Sequence, residues 1–183
     1  MSTQTPRAPV AGADYIRAMG QHASSVCVIT ASHGGNRHGL TATAVSSVCA
    51  EPPRLLVCAN KSGVTHQMIR DSGHFCVNVL SEDHDHIAKG FAGMMGKDFD
   101  RFSVGSWTDL ATGSPALRDA AAVFDCQIAE VIDQFTHTIF IGSVVAVASR
   151  SGQDPLLYGA RRFRQLRKSV SPQVAPEADL DYL

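Results

Sequence analysis

Charge is scarce in this chain: 18% of its 183 residues are charged, and the formal net charge is −1. So small a net charge offers no global attraction to nucleic acid or to an anionic membrane surface. No apolar run approaches the roughly 20 residues that a membrane helix needs, so no membrane association is expected. Residues 1–10 are polar and hold Pro6 and Pro9. They lack a basic stretch followed by an apolar one, so no secretory leader is expected. No Gly-x-Gly-x-x-Gly follows a first strand, and long strand–helix alternation is missing, which argues against a doubly wound dinucleotide fold. There is no internal repeat and no Cys-x-x-Cys pair. The cysteines, Cys27, Cys49, Cys58, Cys76 and Cys126, are odd in number and mostly sit in apolar runs. That suits free thiols in a reducing cytoplasm better than disulfides, a zinc site or a cysteine nucleophile. His84 and His86 are two apart on an expected helix and face different sides, so no metal site is expected.

What is present describes one globular domain. Hydrophobic residues make up 44% of the chain, enough for a core. The expected organisation is a flexible arm over 1–12, a domain over 13–167 and a polar tail over 168–183. Asp14 is expected to cap a helix to about Gly20. Strands are expected at 26–30, 39–44, 54–59, 75–80, 123–132, 138–148 and 155–158, with Gly34-Gly35-Asn36 closing a hairpin. The apolar run 54–59 reads as buried on both faces. Helices are expected from Ser62 to about Arg70 and from about Asp83 to Phe91. Six or seven strands with short turns and few helices give a mainly β fold with peripheral helices, best read as a Greek-key barrel.

Two segments carry chemistry. In Gly39-Leu40-Thr41-Ala42-Thr43-Ala44-Val45-Ser46-Ser47-Val48, small and hydroxyl residues fill what otherwise reads as a buried strand. Such a segment lets a flat ligand lie close to the backbone and hydrogen-bond to it; it also reads as an ordinary Thr-rich strand that Ser46-Ser47 ends. Asn60-Lys61-Ser62 ends a strand and opens a helix, where free N–H groups, the helix dipole and a lysine suit a phosphate. Ser62 as a plain cap beside an exposed lysine is the alternative. Together the two segments suggest one ligand, flat at one end and phosphorylated at the other, as a flavin nucleotide is.

These segments stand in order with Pro52-Pro53-Arg54-Leu55, Gly73-His74-Phe75-Cys76-Val77-Asn78-Val79-Leu80, Phe135-Thr136-His137-Thr138-Ile139-Phe140-Ile141-Gly142 and Pro155-Leu156-Leu157-Tyr158. Over roughly residues 14–166 the set resembles the short-chain flavin reductase family, the reductase components of two-component monooxygenases that hydroxylate phenols, chlorophenols or 4-hydroxyphenylacetate. The resemblance implies a split β-barrel of the FMN-binding type, a homodimer, and reduction of FAD or FMN by NADH or NADPH, with NADH favoured. It implies that reduced flavin serves a separate flavin-dependent monooxygenase. By motif, Thr41, Thr43, Ser46 and Ser47 would line the isoalloxazine, and Asn60, Lys61 and Ser62 would hold the ribityl-phosphate end. Phe91 and Ala92 would lie near the dinucleotide side, and His137 and Tyr158 near the nicotinamide, with His137 the candidate catalytic residue. Gly159-Ala160-Arg161 departs from the pattern expected after that tyrosine. The basic cluster Arg161, Arg162, Arg164, Arg167 and Lys168 reads as a solvated face or a flavin-side contact. The rival readings are an FMN-bound enzyme like pyridoxamine-phosphate oxidase and a non-catalytic flavin- or haem-binding module.

Overall fold

The structure, a computed structural model, describes residues 8–166. Residues 1–7 of the expected arm, the expected tail 168–183, and with them Arg167 and Lys168, lie outside the described residues. Helix α1 (Gly12–Met19) leads to strands β1 (Ser24–Ser25), β2 (Cys27–His33), β3 (Asn36–Ala42), β4 (Val45–Ala50) and β5 (Pro53–Asn60). Helix α2 (Val64–Ser72), β6 (His74–Val79) and helix α3 (Asp85–Phe91) follow. A 3-10 turn (Arg101–Ser103) precedes β7 (Trp107–Asp109) and β8 (Pro115–Leu117). Then come the long strands β9 (Ala122–Gln134) and β10 (His137–Ser149), and the short β11 (Leu157–Gly159) and β12 (Arg162–Arg164).

Seven strands form one sheet in the order β3-β2-β6-β9-β10-β5-β4, every neighbour antiparallel. Strands β3 and β4 therefore lie at opposite edges, yet only Thr43 and Ala44 separate them in sequence. Laid flat, those edges would stand about 29 Å apart at roughly 4.8 Å per strand. The link spans about 10 Å. The sheet must curl until its edges meet, and β3 and β4 are not hydrogen-bonded to each other where they do. The result is a barrel with one open seam. Here the structure departs from the expected single strand over 39–44, because β3 ends at Ala42 and a new strand starts at Val45. Ser46 and Ser47 lie within β4 rather than ending a strand.

Alternation of apolar side chains builds two cores. Cys27, Ile29 and Ala31 of β2 point into the barrel with Val57, Phe75, Val77, Phe140 and Ile69 of α2. Val26 and Val28 face the other way, against Leu80, Ile87, Phe91 and Leu117. Strand β5 does not follow the expectation of burial on both faces. Leu55, Val57 and Ala59 are buried, while Arg54, Leu56 and Cys58 on the outer face stay half-exposed. The outer core covers β2 and β6 but does not reach β5, so only one side of β5 is sealed.

Local chemistry sets the turns. The β2–β3 hairpin closes on Gly34 and Gly35, with φ of 57° and 78°, as a two-residue mirror-image turn requires. Gly73, at φ 74°, ends α2 by donating its N–H to Ile69 O. Two expected caps are absent: α1 starts after Ala11, with Asp14 inside its first turn, and α2 starts after Gly63, not at Ser62. A small sheet β1-β11-β12 places Tyr158 opposite Ser24 and Phe163. Its hairpin turn is Ala160-Arg161, both at positive φ (51° and 59°), which explains why this segment reads poorly from sequence.

Gly39 decides how closely α3 seats. A Cβ there would stand 2.7 Å from Phe91 Cε1 and 3.0 Å from Ile29 O. Phe91 is itself wedged edge-on against Phe102 and tilted against Trp107, so it has little room to yield. Gly39→Ala should destabilise the fold by about 1–3 kcal/mol, the usual range for overpacking. Urea denaturation checks this, and an unchanged midpoint would contradict it.

Candidate functional site

The open seam leaves one edge of β3 and one edge of β4 without a strand partner. Unpaired edge N–H and C=O groups are a template for anything flat that offers complementary donors and acceptors. Two cavities open along this seam, and both are lined by Thr43. The smaller, ≈ 240 Å³, is lined also by Thr41, Ala42, Ala92, Met94 and Tyr158. The larger, ≈ 580 Å³, is lined by Ser46, Ser47, Cys27, Cys49 and Arg54 among others. Its volume falls in the range of small-molecule sites. Its wall is largely apolar, and it carries one orphaned donor: Arg54 Nε is buried with no hydrogen-bond partner. Small side chains, an unpaired strand edge and a lone buried guanidinium nitrogen fit a flat, carbonyl-rich, anionic ligand such as a flavin nucleotide.

The expected ring-side residues Thr41, Thr43, Ser46 and Ser47 gather here, with Ala92 of the expected dinucleotide side and Tyr158 of the expected nicotinamide side; Phe91 does not. Thr41, Thr43, Ala92 and Tyr158 share the smaller cavity, and Thr43, Ser46 and Ser47 the larger. Thr41 has a structural duty as well: its hydroxyl donates to Ala88 O of α3 at 2.7 Å. Its single proton is thereby used, and only its oxygen lone pairs remain. Phe91 is the exception. Its side chain is 2% exposed and sits in the outer core against Gly39, so it holds α3 in place and forms no part of the cavity wall. Tyr158 is held by strand pairing and by an edge-on contact with Phe163, ring centroids 5.5 Å apart.

The expected phosphate-end residues form a second group, beyond the Thr43–Ala44 link. Ala44 O accepts from Cys58 N at 3.1 Å, two residues before Asn60 on β5, a strand distance of roughly 7 Å. His137 lies directly opposite Asn60 in the β5–β10 ladder. Asn60 Oδ1 accepts from both Ser62 N and Ser62 Oγ at 2.9 Å, a side-chain-closed turn that presents Lys61 at its tip. Lys61 N donates to Thr136 O at 2.9 Å, tying this turn to the β9–β10 hairpin. His137 is exposed, with Nδ1 2.9 Å from Thr136 Oγ1. Beside it, Phe135 is 95% exposed at φ 43°.

Sequence reasoning missed Met94, Phe163 and the role of Arg54. Met94 follows α3 in a Gly-bounded loop with no periodic signal, and Arg54 sits in a run that reads as plain strand. Arg101 follows the same loop. It anchors that loop by donating to Gly39 O at 2.7 Å. His84 is buried against Ser81 and Asp119, whereas His86 is exposed. Among the described residues, no group of three or more His, Cys, Asp or Glu is placed to hold a metal ion. All five cysteines are unpaired, and burial pushes the Cys27 and Cys126 thiols up to about 12. A third cavity, ≈ 560 Å³, lies at the opposite end of β2, lined by Ser32 to Arg37, His74 and Trp107 among others. It contains none of the expected site residues.

Three histidines near the barrel are held neutral. Burial lowers the pKa of His66, with Arg70 and Lys61 acting in the same direction and Asp133 against them. Burial and then Arg101 lower His38; burial and His33 lower His74, opposed by Asp125. The folded state resists these protons and the unfolded chain accepts them at about pH 6.5. Stability should therefore be full above about pH 6.5 and fall as pH drops below it, levelling once the folded histidines also charge. Urea midpoints at about pH 7.5 and pH 5.5 check this; a midpoint that is level or higher at the lower pH would contradict it.

Comparison with known proteins places this geometry. Residues 19–167 match the family model described as Flavin reductase like domain. An FMN reductase (NADH), RutF, from Methylorubrum extorquens is 39% identical over 174 residues, 95% of this chain and 84% of that protein. The NADH:FAD oxidoreductase SgcE6 of Streptomyces globisporus, solved with NAD and FAD fragments, superposes at TM-score 0.77 and 28% identity, covering 94% of this chain and 100% of that one. The styrene monooxygenase flavin reductase of Pseudomonas putida superposes at TM-score 0.76 and 26% identity, covering 86% and 99% of the two chains.

Proposed function

This chain belongs to the flavin reductase-like family, and from that premise we propose that it is an NADH-dependent flavin reductase that supplies reduced flavin to a separate monooxygenase. The observation that carries the reading is the seam: Thr43 lines both cavities, with Thr41, Ala92 and Tyr158 on one side and Ser46 and Ser47 on the other. FMN is favoured over FAD, and NADH over NADPH, because the curated relative named above is an FMN reductase (NADH). FAD remains within the reading, since SgcE6 is solved with FAD fragments.

A flavin bound there supplies a ring that accepts hydride, and NADH as substrate supplies the hydride. The chain's own task is to hold the two rings at reacting distance. Small residues at 42–44 allow close approach to the backbone. Thr43, Ser46, Ser47 and the unpartnered Arg54 Nε offer hydrogen bonds to ring oxygens and nitrogens. Lys61, with Asn60 and Ser62 shaping its turn, meets the phosphate end. Tyr158, on the smaller cavity, receives the nicotinamide side, whereas His137, opposite Asn60, stands with Lys61 at the phosphate end.

The finer parts of the proposal have their own support. A homodimer is supported by the outer face of the sheet. There Ile139 stands between Cys58 and Ile132, and Leu56 faces Ile141, as half-exposed cross-strand rows that the outer core does not cover. An aromatic or phenolic substrate for the partner oxygenase is supported by the structural neighbour that serves a styrene monooxygenase. The family match over 19–167 supports one domain over 13–167. No described helix is long and apolar enough to cross a membrane, and the unpaired thiols suit a cytoplasmic setting.

NADH oxidation should saturate with added FMN, run slower with NADPH, and be negligible without flavin. Absorbance at about 340 nm checks this. Flavin bound in stoichiometric amount without NADH oxidation would favour the binding module. FMN that survives exhaustive dialysis would favour the oxidase-like reading.

A further inference from the structure

Two cations converge on one carboxylate at the phosphate end of the groove. Asp133 Oδ1, near the end of β9, lies 3.2 Å from Arg70 Nη1 and 3.5 Å from Lys61 Nζ. The same oxygen accepts the Thr138 hydroxyl at 2.6 Å. Thr138 is fully buried, and its one proton is spent on Asp133. Its oxygen therefore accepts from His66 Nε2–H at 2.8 Å, and His66 is 4% exposed. A buried chain thus fixes the carboxylate from behind, while its front, with side chain 49% exposed, faces Lys61. The lysine's main chain is also fixed, through Thr136 O. Only its side chain is free to exchange partners.

We propose that Asp133 is a built-in competitor for the flavin phosphate: it holds the Lys61 ammonium in the free protein, and a phosphorylated flavin must draw that ammonium away. The inference rests on the reading of 60–62 as the phosphate end. A half-exposed ion pair is weak enough to break on binding, so Asp133 tunes affinity and does not block the site. This competition keeps FMN exchangeable, as a flavin that leaves to serve another enzyme has to be. Asp133 touches neither reacting ring in this account; it sets how strongly the phosphate is felt.

The test compares FMN with riboflavin, which has the same ring and no phosphate. Asp133→Asn retains an oxygen to accept the Thr138 hydroxyl, so the support behind it survives. In this variant the KM for FMN should fall about three- to fivefold, the scale of a partly exposed ion pair, while the KM for riboflavin holds. Repeating the substitution in a Lys61→Met background should abolish the gain, because the pair is already broken. Equal shifts for both flavins, an unchanged KM for FMN, or a gain that persists without Lys61 would each overturn the inference. If the unaltered protein reduces neither flavin with NADH, the flavin-reductase reading itself fails, and that outcome is distinct from the others.

Discussion

A two-residue link between strands at opposite edges of one sheet is the constraint on which this structure turns. Thr43 and Ala44 are too short to cross a flat seven-stranded sheet, so the sheet curls and brings β3 against β4 without pairing them. The seam that results is the unpaired part of the barrel. It leaves strand edges without partners, lined by side chains too small to fill the gap. Gly39 and Phe91 hold α3 against one lip of the seam, and Arg101 ties the following loop to the same strand. The β11–β12 hairpin brings Tyr158 to the same cavity.

Around this seam the protein supplies few charged groups, in keeping with its low overall charge. Hydroxyls, backbone edges and the buried Nε of Arg54 face the ring cavities; the lysine and histidine stand at the far end, across the Ala44–Cys58 bond. That division suits a reaction in which two cofactor-type molecules carry the chemistry and the chain aligns them. The buried His66–Thr138–Asp133 chain shows the same economy. It gives His66 Nε2 a partner inside the barrel and fixes the one carboxylate that Lys61 meets.

Much of this was legible in the sequence, for physical reasons. Strands β2, β6, β9 and β10 carry alternating or continuous apolar residues whose burial leaves little choice, and Gly34-Gly35 announces its own turn. The seam-lining residues stood out as a candidate ligand surface because small hydroxyl side chains in a core-like strand are unusual. The break between β3 and β4 was not, since Thr43-Ala44 has the propensities of continuous strand and only the global closure bends it there. Nor was the turn at Ala160-Arg161, which takes positive φ without glycine. Phe91 was misplaced because a residue at a helix end gives no sign of whether it faces ligand or core. Ser62 was misread as a cap because Asn60, two residues earlier, takes its hydrogen bonds. Asp133 gave no signal, because its partners come from α2, the 60–62 turn and β10.

The central claim is that the open seam is the ligand site. Amide chemical-shift mapping with unreduced FMN tests it most directly. The account predicts shifts concentrated at Thr41–Ser47, Ala92, Tyr158 and the 60–62 turn. Shifts centred instead on Ser32–Arg37 and His74, around the cavity at the far end of β2, would contradict it.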